Sequence, residues 1–156
     1  MKHYYLAYGS NLNLAQMKYR CPTAKAIGKT MLNGYKLMYR GIQDNHAYLT
    51  IEPDKDSSIP VGIYELSAND ISNLDFYEGY PNSYLKKYIT IKVNNKNIKA
   101  LIYIMNNKFD YHLPSKKYIN ICIEGYKDFE FNLEILKKAY IDTFENITKK
   151  NNSNTR

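Results

Sequence analysis

Tryptophan is absent, and only two cysteines occur in 156 residues, with no C-x-x-C spacing between them. Cys21 and Cys122 therefore offer no basis for a disulfide framework or a thiol-redox motif, and both are expected to be reduced thiols. No stretch approaches the ~20 apolar residues of a membrane span, and no basic segment leads into a long apolar run near the start; a cytoplasmic location is the expectation. The three histidines, His3, His46 and His112, show no metal-ligand spacing with one another or with either cysteine, so no metal site is expected. Gly-x-Ser-x-Gly, P-loop and Gly-x-Gly-x-x-Gly phrases are missing, which leaves serine-hydrolase, nucleoside-triphosphatase and dinucleotide-enzyme readings without support. Catalysis, if any, must rest on a carboxylate, a hydroxyl or the backbone.

The length fits one domain with a core large enough to need no disulfide or metal. That domain is expected over residues 1–147. From Thr148 the composition turns to Lys, Asn, Ser, Thr and Arg, and residues 148–156 read as a disordered polar tail. The formal net charge is +7, yet the excess lies in scattered pairs such as Lys86-Lys87 and Lys137-Lys138 rather than in one stripe. With 17 tyrosines and heavy use of Lys, Asn and Ile, the bias is the one AT-rich coding generates, and no nucleic-acid partner is expected. A modest steering of anionic small substrates is the functional reading of the charge.

Along the chain, His3 to Tyr8 reads as a strand, and Leu14 to Arg20 as a short helix closed by Cys21-Pro22. Four short strands follow, Ala24–Gly28, Tyr35–Arg40, His46–Ile51 and Val61–Leu66, split by Asn-Gly, Gln-Asp-Asn and a Pro-Asp-Lys-Asp-Ser-Ser run. Ser67-x-x-Asp70 opens a helix that should end near Glu78-Gly79. Asn94-Asn95-Lys96-Asn97 joins Tyr84–Val93 to Ile98–Met105 as a hairpin. Pro114-Ser115 opens another helix with Gly125 as its stop, and Asn132 caps a last one, its apolar stripe running from Leu133 to Phe144. Strands in front and helices behind indicate α+β.

Two places carry candidate chemistry. In Tyr8-Gly9-Ser10-Asn11-Leu12 a strand breaks into a turn before a helix, where converging N–H groups can hold an anion or a polarised carbonyl. By itself, the same turn is also an ordinary connection with Asn11 or Asn13 as N-cap. Glu78 lies where a helix breaks, with Phe76, Tyr77, Tyr80 and Tyr84 around it. Aromatic surroundings would raise its pKa and suit it to accept and return a proton near neutrality; the alternative is an exposed Glu in a helix's last turn. Glu124-Gly125-Tyr126 repeats the Glu78-Gly79-Tyr80 phrase, so local sequence does not choose between the two acids.

Taken in order and spacing, Tyr8–Leu12, Arg20-Cys21-Pro22, Gly62–Leu66 and Leu74-Asp75-Phe76-Tyr77-Glu78-Gly79-Tyr80-Pro81, with Tyr84 following, resemble the γ-glutamylcyclotransferase family, from Tyr4 to about Phe144. The resemblance implies a single domain with a small mixed or barrel-like sheet and flanking helices. It implies that Tyr8, Gly9, Ser10, Asn11 and Leu12 form the substrate-binding loop and that Glu78 is the catalytic acid/base, with Tyr84 and Tyr118 lining the pocket. Glu124 then falls where no acid is required. The implied reaction is closure of 5-oxoproline by attack of a γ-glutamyl amide's own α-amine, with no cofactor. The implied partner is a small γ-glutamyl substrate, with a homodimer allowed. The loop from Glu78 to Tyr84 is a residue shorter than in vertebrate members, which leaves open a γ-glutamyl amino acid, a γ-glutamylamine, a γ-glutamyl biosynthetic intermediate, or a pocket that binds without turnover.

Overall fold

The unbroken apolar run Tyr4–Ala7 within His3–Ala7 (β1) suits a strand covered on both faces, and β1 lies in the interior of a six-stranded sheet. The computed structural model describes residues 2–154. The other strands are β2 (Lys25–Gln43), β3 (His46–Leu66), β4 (Tyr84–Val93), β5 (Lys96–Met105) and β6 (Asp110–Tyr111). Their order is β4-β5-β1-β3-β2-β6. β1 runs antiparallel to β3 (Tyr5 opposite Tyr64) and parallel to β5 (Tyr5 opposite Leu101); the remaining pairs are antiparallel. The mixed sheet curls into a half-barrel around a core that includes Leu6, Leu12, Val61, Leu74 and Ile102. This is the single-domain α+β architecture that the resemblance implied.

The four short strands expected between Ala24 and Leu66 are two long ones. Asn33-Gly34, which looks like a turn, is a bulge: Asn33 pairs with Ser58 and Tyr35 with Pro53, so residues 54–57 bow out opposite Gly34 while the ladder resumes on either side. The real reversal is the tight turn between Gln43 and His46, where Asn45 takes φ 70°. In the β4–β5 hairpin Asn94 and Asn95 take φ 50° and 65°, the pair of left-handed residues that a two-residue turn of this hand requires.

Four helices flank the sheet: α1 (Leu14–Arg20), α2 (Ala68–Glu78), α3 (Lys116–Asp128) and α4 (Glu134–Asn154). Ser67 caps α2 through a reciprocal box, its Oγ accepting from Asp70 N at 3.1 Å while Asp70 Oδ2 accepts from Ser67 N at 3.0 Å. α2 stops at Gly79, whose φ of 66° favours glycine. Gly125 does not stop α3. It lies inside the helix, where a Cβ would fall 2.5 Å from Asn13 N, so its bare Cα is what lets α3 pack against the Leu12–Asn13 backbone. Residues 148–154, read as tail, continue α4 as helix; Thr155 and Arg156 lie outside the described residues. Asn132 does cap α4, its Oδ1 accepting from Glu134 N. Among the described residues no helix is long and apolar enough to cross a membrane.

Candidate active site

β1 delivers the chain to Tyr8, whose phenol donates to the Tyr103 carbonyl at 2.6 Å and whose own carbonyl accepts from Tyr126 at 3.3 Å. Pinned from both sides, the backbone then makes one 3₁₀ turn, Ser10–Leu12, with Leu12 N on Gly9 O and Asn13 N on Ser10 O. The first N–H groups of such a turn have no partner within it. Those of Gly9, Ser10 and Asn11 belong to residues that line a cavity of about 350 Å³. Asn13, not Asn11, is the N-cap of α1, accepting from Gln16 N at 3.0 Å.

Asn11 is free for another task. Its carbonyl accepts from the Tyr64 hydroxyl at 2.7 Å, and its amide nitrogen donates to Tyr5 Oη at 2.9 Å and to Glu78 Oε1 at 3.2 Å. The amide oxygen takes a hydrogen bond from Arg20 Nη1, which fixes the amide so that the nitrogen faces Glu78. The capped and Gly-terminated α2 ends on Glu78, and thus sets that carboxyl against the turn. Burial pushes the Glu78 carboxyl up to about 7, opposed by the Arg20 charge and the Asn11 hydrogen bond. Such a group exchanges a proton readily at neutral pH.

Tyr84 and Tyr118 grip one residue of β3 through the peptide groups on either side of its Cα: the Tyr84 hydroxyl donates to Leu49 O at 2.9 Å, and Tyr118 Oη accepts from Leu49 N at 3.0 Å. Both rings line the cavity, as do Tyr8, Gly9, Ser10, Asn11 and Glu78. Leu12 does not. It is fully buried, facing Gly62 and Gly125, and anchors the turn from below. Glu124 is exposed on α3, 3.5 Å from Lys127 and away from the cavity.

Three participants escape a reading of the sequence. Tyr5 reaches Asn11 from a strand position that reads as core. Arg20 was visible within the Arg-Cys-Pro phrase, but nothing there shows that it holds Asn11 and stacks 3.6 Å over the Tyr77 ring. The β2–β3 tip, with Ile42 and His46, closes the cavity from a region that reads as plain turn.

Residues 5–120 match the protein family described as "Gamma-glutamyl cyclotransferase, AIG2-like". The chain belongs to this family. Its membership supports a cyclotransferase-type function, and the fold agrees. A solved structure described as a γ-glutamyl cyclotransferase superposes with a TM-score of 0.77 at 24% identity, over 89% of this chain and 86% of that one. An uncharacterised protein from Homo sapiens gives 0.76 at 25% identity, over 88% and 86%. YkqA from Bacillus subtilis gives 0.71 at 16% identity, over 91% of this chain and 54% of that one. A comparison with curated proteins found no significant match.

Proposed function

We propose that the protein releases 5-oxoproline from a γ-glutamyl amide, with Glu78 as the single acid/base and the Gly9–Asn11 turn holding the glutamyl end. The substrate's α-nitrogen attacks its own γ-carbonyl carbon; the new N–C bond closes a five-membered lactam, and the C–N bond to the leaving amine breaks. Glu78 takes a proton from the attacking nitrogen and returns it to the departing one. The reaction needs no redox partner, and holding the substrate in its cyclising conformer contributes on the order of 7–11 kcal/mol in well-oriented cases.

The observation that carries this reading is the pairing of Glu78, with its proton affinity near neutrality, to Asn11 of the turn across one cavity. The N–H groups of Gly9, Ser10 and Asn11 are suited to the glutamyl carboxylate or to the developing oxyanion. Tyr5, Tyr8, Tyr84 and Tyr118 all have their pKa values raised, chiefly by burial, so they stay neutral hydroxyls and leave Glu78 as the proton carrier.

The test is incubation with a set of γ-glutamyl amides, dipeptides among them, and detection of 5-oxoproline. Glu78→Gln is expected to lower turnover by roughly 10²–10⁴-fold with an unchanged circular dichroism spectrum. Full activity in that variant removes Glu78 from its role.

A further inference from the structure

Arg20 lies in the last turn of α1, where a cation suits any helix C-terminus; Lys18, in the same turn, is exposed. Arg20 is instead half-buried, and its guanidinium is held from several sides. Nη1 donates to Asn11 Oδ1 and, at 3.4 Å, to Ser10 Oγ; Nη2 donates to Gln16 Oε1 at 3.0 Å; and Cζ stands 3.6 Å from the centre of the Tyr77 ring. All four partners are neutral, and among the described residues no carboxylate pairs with Arg20. Arg40 and Lys86, by contrast, each sit on a carboxylate, Glu52 at 2.6 Å and Asp75 at 2.7 Å. A guanidinium that meets only neutral groups keeps its field, and the acid it reaches is Glu78, one amide away.

That amide is directional. With its oxygen held by Arg20, Asn11 turns its nitrogen to Glu78 Oε1 and Tyr5 Oη, and both of its N–H protons are in use. A half-turn would place oxygen against the Glu78 carboxylate and remove the donor; Arg20 excludes it, because Nη1 would then face an NH₂ group. The other titratable groups facing Glu78 are Tyr5 and Tyr8 at the end of β1, Tyr77 on α2, Tyr84 on β4 and Tyr103 on β5, all kept neutral chiefly by burial. His46 lines the same cavity from the β2–β3 tip, and Asp75, one turn earlier on α2, is held by Lys86 and the Tyr103 hydroxyl. After burial, the Arg20 charge is the largest influence on Glu78, and it opposes protonation.

We propose that Arg20 is a positioning residue for the reaction: through the Asn11 amide it keeps a hydrogen-bond donor and a positive charge on the Glu78 side of the turn. This role rests on the cyclotransferase reading of Glu78.

Full-length protein, isotope-labelled at its glutamate carboxyls, lets Glu78 be titrated directly by NMR, its resonance being the one that Glu78→Gln removes. In Arg20→Gln, the Glu78 titration and the acid limb of kcat/KM for γ-glutamyl-alanine are expected to move up together, by about half a pH unit or more. kcat should fall about tenfold or more while KM changes less than about threefold. Arg20→Lys keeps the charge without the fork, so its limb should stay within about 0.3 pH unit of the parent's while kcat still falls. Above the acid limb, kcat in the Arg20→Gln, Asn11→Ala double variant should match that of Asn11→Ala alone, because Arg20 acts through that amide. A folded Arg20→Gln whose Glu78 titration and limb match the parent's overturns the proposal, and so does an additive loss in the double variant. If Arg20→Gln does not melt cooperatively, Arg20→Lys decides: a parental kcat overturns the proposal, and a fall in kcat with KM and the limb unmoved supports it. A moved Glu78 titration without 5-oxoproline from γ-glutamyl-alanine or γ-glutamyl-methylamide supports the Arg20 linkage and overturns only the cyclotransferase reading.

Discussion

Glu78 joins an elevated pKa to a stability cost, and the two have opposite pH signatures. Its ordinary value of 4.5 is raised to about 7, so the folded chain keeps this proton across a window in which the unfolded chain has lost it. Stability therefore falls as pH rises through that window, with a penalty of at most about 3 kcal/mol above pH 7. Glu78→Gln, which cannot ionise, should melt higher than the parent at pH 8, and the difference should vanish at pH 4; scanning calorimetry at the two pH values checks this. Activity runs the other way, since the base form is the carboxylate: kcat/KM should climb between pH 5 and pH 7. Of the residues involved, Glu78 and the turn were legible as separate phrases because both follow local rules, a helix end and a strand break. Their meeting in one pocket was implied by the family resemblance alone, and the Asn11–Glu78 hydrogen bond was not legible, because it depends on Arg20 fixing the amide from a third element.

Among the elements, those defined by their own ends read correctly. α1 and the Ser67 cap and Gly79 stop of α2 carry their boundaries in sequence, and the β4–β5 hairpin does so to within two residues, its turn being Asn94-Asn95 and β5 starting at Lys96 rather than Ile98. The misread ones are defined by partners. Asn33-Gly34 and residues 54–57 have turn chemistry, yet both lie within one ladder because the flanking residues pair across them. Gly125 has helix-stop chemistry, yet its function is contact. Gly125→Ala would drive a methyl against Asn13 N and the Leu12 carbonyl carbon, backbone atoms that cannot swing away as a side chain does. The expected cost is about 1–3 kcal/mol, a fall in Tm of several degrees. Because the displaced atoms belong to the turn that holds Asn11, turnover should fall as well, even below the melting range. Thermal melts and 5-oxoproline release, measured on the same preparation, test both.

At the scale of the whole molecule, the last turns of α4 are solvent-exposed and polar, with Lys150 paired to Asp110 at the surface. Ending the chain after Thr148 should cost no more than about 1 kcal/mol, the range of an exposed ion pair, so a Tm shift of a few degrees at most is expected in a melt. The composition that read as disorder there is compatible with a helix whose inner face is anchored further back, at Leu136, Ala139 and Thr143. The other end of the fold behaves differently. β1 is the first strand in the sequence but sits inside the sheet, and its pairing residues Tyr64 and Leu101 come far later. During synthesis β1 must therefore wait for both neighbours, and the tight turn that follows it takes shape only when the sheet closes. Pairing over such sequence distances is slow to form, and the contacts that pin Tyr8, with Tyr103 and Tyr126, reach further along the chain still. A chain that has not finished folding has no site to misuse.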